Sequence, residues 1–349
     1  MGTDGFEFVE YTAPDTAALG RLFAAMGLRP VGRHRSKDVT LWRQGGVNFV
    51  VNGEAESFAQ SFARVHGPSV CAIGFRVSDA AAALERAVAL GARAVEARIG
   101  PMELNIPAIE GIGGSLIYLV DRYGEAGSIW DVDFRALEGE SLAPARAPEG
   151  VGLYEIDHLT HNVHRGRMDA WSEFYERIFG FREIRSFDIE GRHSGLHSRA
   201  MVSPCGRIRI PINESADDRS QIAEYLTAYR GEGIQHIALA SRDIAASVTA
   251  LGEAGVPFLA PPPASYYARL DARLPGHGED AATLQRLAIL MDGEPGGGRL
   301  LQIFTATVIG PIFFEIIQRK GNNGFGEGNF QALFEAMEQD QIARGQLAT

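Results

Sequence analysis

Two imidazoles and one carboxylate can hold a divalent cation, and this chain offers such a set at regular, wide intervals. His158 and His236 are 78 residues apart, and Glu315 follows after a further 79. That spacing suits one ligand per structural module and excludes a local metal-binding loop. Two histidines and a carboxylate leave three positions of an octahedral ion open, the facial arrangement of non-haem Fe(II) oxygenases. An α-keto acid can chelate two of those positions and O2 can take the third. Zinc more often closes a tetrahedral set. Other readings stay open here. The chain has nine histidines, and a strand histidine is more often packed or surface-exposed than a ligand. Glu315 can point outward from an edge. If it faces inward among Ile312, Phe313, Phe314, Ile316 and Ile317, its burial needs a compensating cation.

The elements that must position these residues read as alternating strands and helices. In the first half, Phe6 to Tyr11 is strand-like, and Ala17 to Met26 is helical up to Gly27. Val39 to Gln44 and Val47 to Val51 form a hairpin around Gly45-Gly46. Val70 to Val77 is a strand, and Asp79 caps the helix that follows. Leu116 to Val120 and Ile129 to Phe134 are read as strands. The segment from Leu142 to Pro148 is small and Pro-rich, as suits a linker.

The second half repeats this order. Ile156 to Val163 is a strand, and Met168 to Phe179 is a helix ended by Gly180. Further strands cover His193 to Met201, Arg207 to Ile212, Ile234 to Ala240, Leu300 to Phe304 and Phe313 to Gln318. Asp243 precedes a helix that ends at Gly255. Leu22 to Arg29 mirrors Tyr175 to Arg182, and the Asp79–Gly91 and Asp243–Gly255 segments match in length. Self-similarity of this kind predicts an α+β chain of four βαβββ modules, paired into two open β-barrels. His158 and His161 differ by three positions, so only one of them can face the barrel interior. Aligning Asp79 with Asp243 sets Ala72 opposite His236. The Glu7 region and Asp131 then fall near the other two ligand positions. Residues 1–148 are therefore expected to form a metal-free support or assembly barrel, and residues 149–349 the catalytic one. Phe330 to Arg344 reads as an amphipathic helix that closes the second barrel.

The bulk composition narrows the classes. A chain of 349 residues with formal net charge −11 and no Lys/Arg-rich run has no nucleic-acid footprint. Bilayer crossing needs about 20 consecutive apolar residues, and no such run occurs. The N-terminus lacks the pattern of a signal peptide, so a cytoplasmic address is expected. Cys71 and Cys205 are expected as free thiols.

Ten stretches together carry a family resemblance. They are GFEFVE from Gly5, HRSK from His34, HGPSVC from His66, GPMELN from Gly100 and DHLTHNV from Asp157. They continue with GEGIQH ending at His236, PPPASYY from Pro261, LQIF from Leu301, FEIIQR from Phe314 and GFGEGNF ending at Phe330. Over nearly its whole length the chain resembles the bacterial 4-hydroxyphenylpyruvate dioxygenases, of the vicinal-oxygen-chelate fold. The resemblance implies one Fe(2+) per chain on His158, His236 and Glu315. It implies conversion of 4-hydroxyphenylpyruvate and O2 to homogentisate and CO2, in tyrosine and phenylalanine catabolism. Ser198, Asn213, Gln221, Gln235 and Gln302 match polar pocket positions. Phe304, Phe313, Phe325 and Phe330 match aromatic wall positions, with Asn329 and Leu333 on the closing helix. The Gly321–Gly328 stretch reads as a hinge for that helix. A homodimer or homotetramer is also implied. Two alternatives accompany this reading. One is 4-hydroxymandelate synthase, disfavoured because Phe304 and Phe313 are both kept. The other is a metal-free binding or scaffold protein of the same fold.

Overall fold

The computed structural model describes residues 1–96, 103–190, 195–218, 220–326, 328, 329, 332, 338, 342 and 345. Its strands are β1 Phe6–Thr12, β2 Arg29–His34, β3 Val39–Gln44, β4 Val47–Asn52, β5 Ser69–Arg76, β6 Ala94–Val95, β7 Ala108–Glu110, β8 Leu116–Val120 and β9 Phe134–Ala136. They continue with β10 Leu153–Val163, β11 Arg182–Glu190, β12 Gly195–Val202, β13 Arg209–Ser215, β14 Gly233–Ser241, β15 Leu290–Gly293, β16 Arg299–Phe304 and β17 Phe313–Lys320. The first nine form one sheet in the order β6-β7-β8-β5-β1-β4-β3-β2-β9, and the last eight form a second, β11-β12-β13-β10-β14-β17-β16-β15.

Four βαβββ modules account for both sheets apart from β9, which adds to the edge of the first beside β2. They open at β1, β5, β10 and β14, and each opening strand leads into a helix: Thr16–Ala25, Ala80–Ala89, Met168–Phe179 and Ile244–Glu253. Asp79 and Asp243 cap the second and fourth helices by accepting from Ala82 and Ala246 backbone N–H. Gly180 ends the third in the left-handed region. Within each sheet two modules meet through their opening strands, antiparallel in β1·β5 and in β10·β14. Each opening strand pairs in parallel with the closing strand of its own module.

The apolar layer between helices and sheets runs across both halves. Phe49 lies against Phe314, and Phe75 against Phe179 and Phe181. Gly113, at φ 60°, brings the Ile112–Gly114 turn of the first half against the Glu232 carbonyl of the second.

The structure differs from the sequence-based expectation in several elements, strands β2 and β11 being additional to those expected. Ile129 to Phe134 is not a strand: Trp130–Asp133 is one helical turn, and only Phe134–Ala136 is extended. Trp130 donates its indole N–H to Glu7, and Asp133 accepts from Leu104 N–H, so both ends of the turn are tied down. Helices Phe58–His66 and Gln221–Tyr229 are additional. The expected closing helix falls mostly outside the described residues, with 328, 329, 332, 338 and 342 helical among those described.

Candidate metal centre

His158 lies on β10, His236 on β14 and Glu315 on β17, three adjacent strands at the middle of the second sheet. The register explains why they converge. Ala238 is the pairing partner of both His158, across β10·β14, and Glu315, across β14·β17. His236 is two residues from Ala238 and so on the same face. The three residues offer ligand atoms that all lie within 4.8 Å of one another, and all are buried. Nε2 of His158 is 3.1 Å from Glu315 Oε2, and Nε2 of His236 is 3.5 Å from the same oxygen. Cis ligands at metal–ligand distances of about 2.1 Å stand roughly 3 Å apart, so this set fits one first-row cation.

The remaining polar atom of each ligand residue is anchored. His158 Nδ1 donates to Asp157 Oδ1 at 2.8 Å. Asp157 in turn accepts two hydrogen bonds from Arg319, Nε to Oδ2 at 2.7 Å and Nη2 to Oδ1 at 2.8 Å. His236 Nδ1 is 3.2 Å from Gln235 Oε1, while its ligand-side Nε2 is itself 2.9 Å from the Thr160 hydroxyl. Glu315 Oε1 accepts from Gln302 Nε2 at 2.9 Å. These partners fix ring orientation and tautomer, as outer partners of metal-binding histidines do.

The charge states follow from burial and proximity. Burial disfavours the Glu315 carboxylate, but His158 beside it outweighs this and holds its pKa down to about 2. Burial likewise opposes protonation of His158, yet Glu315 and Asp157 raise its pKa. For His236 burial prevails and the pKa is lowered. Burial also opposes the Asp157 carboxylate, but Arg319 and His158 keep it ionised well below the usual carboxylate range.

The pocket beside this cluster is lined by Thr160, Ile189, Leu196, Ser198, Pro211, Asn213, Gln221, Gln235, Gln302, Phe304, Phe313 and Phe325, with the three candidate ligands. Every described residue expected there from the sequence faces it except Asn329, which sits one layer behind. Asn329 Nδ2 donates to Gln302 Oε1 at 2.9 Å. Phe330 and Leu333 lie outside the described residues. Ser198 and Asn213 are cross-strand partners on β12 and β13. Gln235 Nε2 donates to Gln221 Oε1 at 2.5 Å. Phe313 stacks on the His236 ring at 4.7 Å, and Phe325 meets His158 edge-on at 5.7 Å. His161 faces away, with Nε2 2.7 Å from the Tyr175 hydroxyl.

Sequence reasoning missed Asp157, Arg319, Thr160, Tyr266 and Arg273. The last two extend a hydrogen-bond chain away from the cluster. Tyr266 donates to Asn329 Oδ1 at 2.6 Å and accepts from Arg273 at 3.1 Å. An acidic residue beside a strand histidine was the one available signal for Asp157.

The first sheet carries the same three positions with different contents. Its register sets Phe8 opposite Gly74, and Gly74 opposite Tyr118. Phe8, Ala72 and Tyr118 thus stand where His158, His236 and Glu315 stand in the second sheet. Phe8 lies in the Glu7 region, as expected, whereas the third position belongs to Tyr118 and not to Asp131, which sits in the Trp130–Asp133 helical turn. Phe8 packs on Tyr118 and Trp130, each at 5.7 Å, filling the space with rings.

Paired βαβββ modules, with two histidines and a glutamate on the inner strands of one sheet, define a vicinal-oxygen-chelate protein with a candidate metal centre. Residues 1–135 match the hydroxyphenylpyruvate dioxygenase N-terminal family, and residues 155–275 the glyoxalase/bleomycin resistance protein/dioxygenase superfamily. Hemolysin VllY of Vibrio vulnificus is 60% identical, over 99% of this chain and 97% of that protein. The 4-hydroxyphenylpyruvate dioxygenase of Pseudomonas aeruginosa is 58% identical, over 99% of this chain and 96% of that protein. A mutant 4-hydroxymandelate synthase from Streptomyces coelicolor has a similar structure, with a TM-score of 0.84 and 27% identity, covering 98% of this chain and 100% of that one. The chain belongs to the 4-hydroxyphenylpyruvate dioxygenase family. It is an enzyme of the vicinal-oxygen-chelate dioxygenase type. Among the described residues, no helix is long and apolar enough to cross a membrane.

Proposed function

We propose that this enzyme binds one Fe(II) through His158, His236 and Glu315 and converts 4-hydroxyphenylpyruvate and O2 to homogentisate and CO2. The observation that carries the reading is the buried His-His-Glu cluster opening onto a pocket of neutral amides and phenylalanine rings. Iron held by His158, His236 and Glu315 would supply the Lewis acidity and redox chemistry for a keto acid and O2.

The chain's own groups orient and exclude. Phe304 and Phe313, with ring centroids 6.3 Å apart and nearly perpendicular, form walls that hold an aromatic ring by apolar burial and edge contacts. Gln221, Gln235, Asn213 and Ser198 can bond a phenol hydroxyl or a carboxylate without adding a charge that competes with the cation. Gln302 holds one Glu315 oxygen and leaves the other facing both histidines. Phe325 covers His158 and helps exclude water. No side chain is required as a strong base, which matches the neutral lining. The first barrel, with rings in place of ligands, serves as support, and the working unit is a homodimer or homotetramer.

The test is product analysis with Fe(II), O2 and 4-hydroxyphenylpyruvate. Homogentisate, with one equivalent of iron per chain, supports the reading. Hydroxymandelate would move oxygen insertion to the side chain, and no product at full iron loading would overturn the reading.

A further inference from the structure

The candidate pocket is small, about 60 Å³ in free volume. That admits a few waters, not an aromatic keto acid, which needs a pocket of about 300 Å³ or more. A second, larger cavity of about 590 Å³ lies in the seam between the two halves. Three residues line both cavities: Gln221, Gln235 and Phe313. They form the partition. The two glutamines are joined side chain to side chain, Gln235 Oε1 also lies 3.2 Å from His236 Nδ1, and Phe313 rests on His236, so rotation of a few χ angles that releases these contacts would connect the two spaces.

The seam cavity is also where positive charge collects. Arg64, from the last turn of helix Phe58–His66, and Arg230, just after helix Gln221–Tyr229, both line it. Arg230 reaches across the seam and donates to the Val65 carbonyl at 3.2 Å. Arg64 donates to Ser61 Oγ. Both are exposed, and among the described residues neither is in an ion pair with a carboxylate. Glu224 is the acidic residue of the lining, and His66 is held neutral, burial being the main cause of its lowered pKa. The chain as a whole carries −11, which on average opposes the approach of a carboxylate. A local pair of arginines at a concave mouth focuses the field and raises the encounter rate of an anion.

We propose that the seam cavity is the vestibule through which the anionic keto acid reaches the metal pocket. Arg64 and Arg230 receive its carboxylate, and the Gln221–Gln235–Phe313 partition admits it. This inference rests on the functional reading above, because it takes the substrate to be an aromatic keto acid.

The experiment compares kcat/KM for 4-hydroxyphenylpyruvate in the iron-loaded enzyme at two ionic strengths, about 20 mM and about 300 mM. Arg64→Glu/Arg230→Glu should lower kcat/KM at low salt by about fivefold or more, with the gap closing at high salt. Arg177→Glu/Arg182→Glu makes the same charge change outside the cavity lining and should have much less effect. Ala228→Trp, at an exposed lining position, should lower kcat/KM at both salt concentrations by obstructing the cavity. Thermal melts check that each variant is folded. Turnover by the wild-type protein, with the cleft double variant matching the control and Ala228→Trp matching wild type, would overturn the vestibule alone. A wild-type protein that makes no product would overturn the functional reading and the vestibule with it.

Discussion

Asp157→Asn separates a residue that orients a metal ligand from one that binds metal. The wild-type carboxylate is 3% exposed and spends three hydrogen bonds, one on His158 Nδ1–H and two on Arg319. An amide keeps the shape but has one acceptor oxygen. If that oxygen takes the Oδ1 position, the new NH2 confronts Arg319 Nε–H. If it takes the Oδ2 position, the NH2 meets both His158 Nδ1–H and Arg319 Nη2–H, and the ring must flip or change tautomer. Either way a donor bonded to a charged partner is lost in a buried site, which costs about 1.5–3 kcal/mol. Loss of an outer partner of this kind lowers metal affinity about 10- to 100-fold, or roughly 1.4–2.7 kcal/mol at the site. Anaerobic Fe(II) titration of wild type, Asp157→Asn, Arg319→Gln and the double variant measures this directly. The singles should each weaken binding by about tenfold or more, and the double by less than the product of the two, since they remove one network. Wild-type iron affinity in folded Asp157→Asn would refute the orienting role of the carboxylate.

Two further outcomes test the frame around the site. Burial pushes the His161 imidazole down to about 3, so the unfolded chain binds a proton there at a higher pH than the folded one. Its share of stability is complete above about pH 6.5 and declines as pH falls toward 3, by up to about 4 kcal/mol. Denaturant melts of His161→Gln should show a shallower loss over that window, and equal slopes would refute the assignment. Gly113→Ala would place a Cβ 2.0 Å from the Glu232 carbonyl oxygen at a φ of 60°. It should destabilise by about 2 kcal/mol or more in urea unfolding, with an unchanged melt as the refuting result.

Much of this architecture is legible in the sequence because its carriers are local. Asp79 and Asp243 announce their helices, Gly180 ends another, and the inner strands β10, β14 and β17 are apolar enough to be read directly. What escaped has physical reasons. Strands β2 and β11 lie at or next to the sheet margins, and charged residues such as Arg29, Arg33, Arg182, Glu183 and Arg185 mask their alternation. The alternation from Ile129 to Phe134 is too short to tell a strand from a helical turn, and the tertiary bonds of Trp130 and Asp133 decide it. The three candidate ligands were found because their residue types are distinctive. Their supports were not, because Asp157 meets Arg319 across 162 residues of chain. A register shift between Ile156 and His158 also breaks the simple rule that neighbours on a strand face apart.

The rings of Phe8, Tyr118 and Trp130 in the first barrel have a consequence for how the molecule responds to iron scarcity. On the proposed Fe(II) reading, the buried His158, His236 and Glu315 cluster gives the second barrel a free energy that tracks the iron concentration. The first barrel fills the equivalent space with hydrocarbon and owes nothing to the ion. Iron depletion should therefore loosen amide-exchange protection on β10, β14 and β17 while leaving β1, β5 and β8 nearly as slow as before. On that reading the two halves of the chain differ in how their rigidity answers to iron supply.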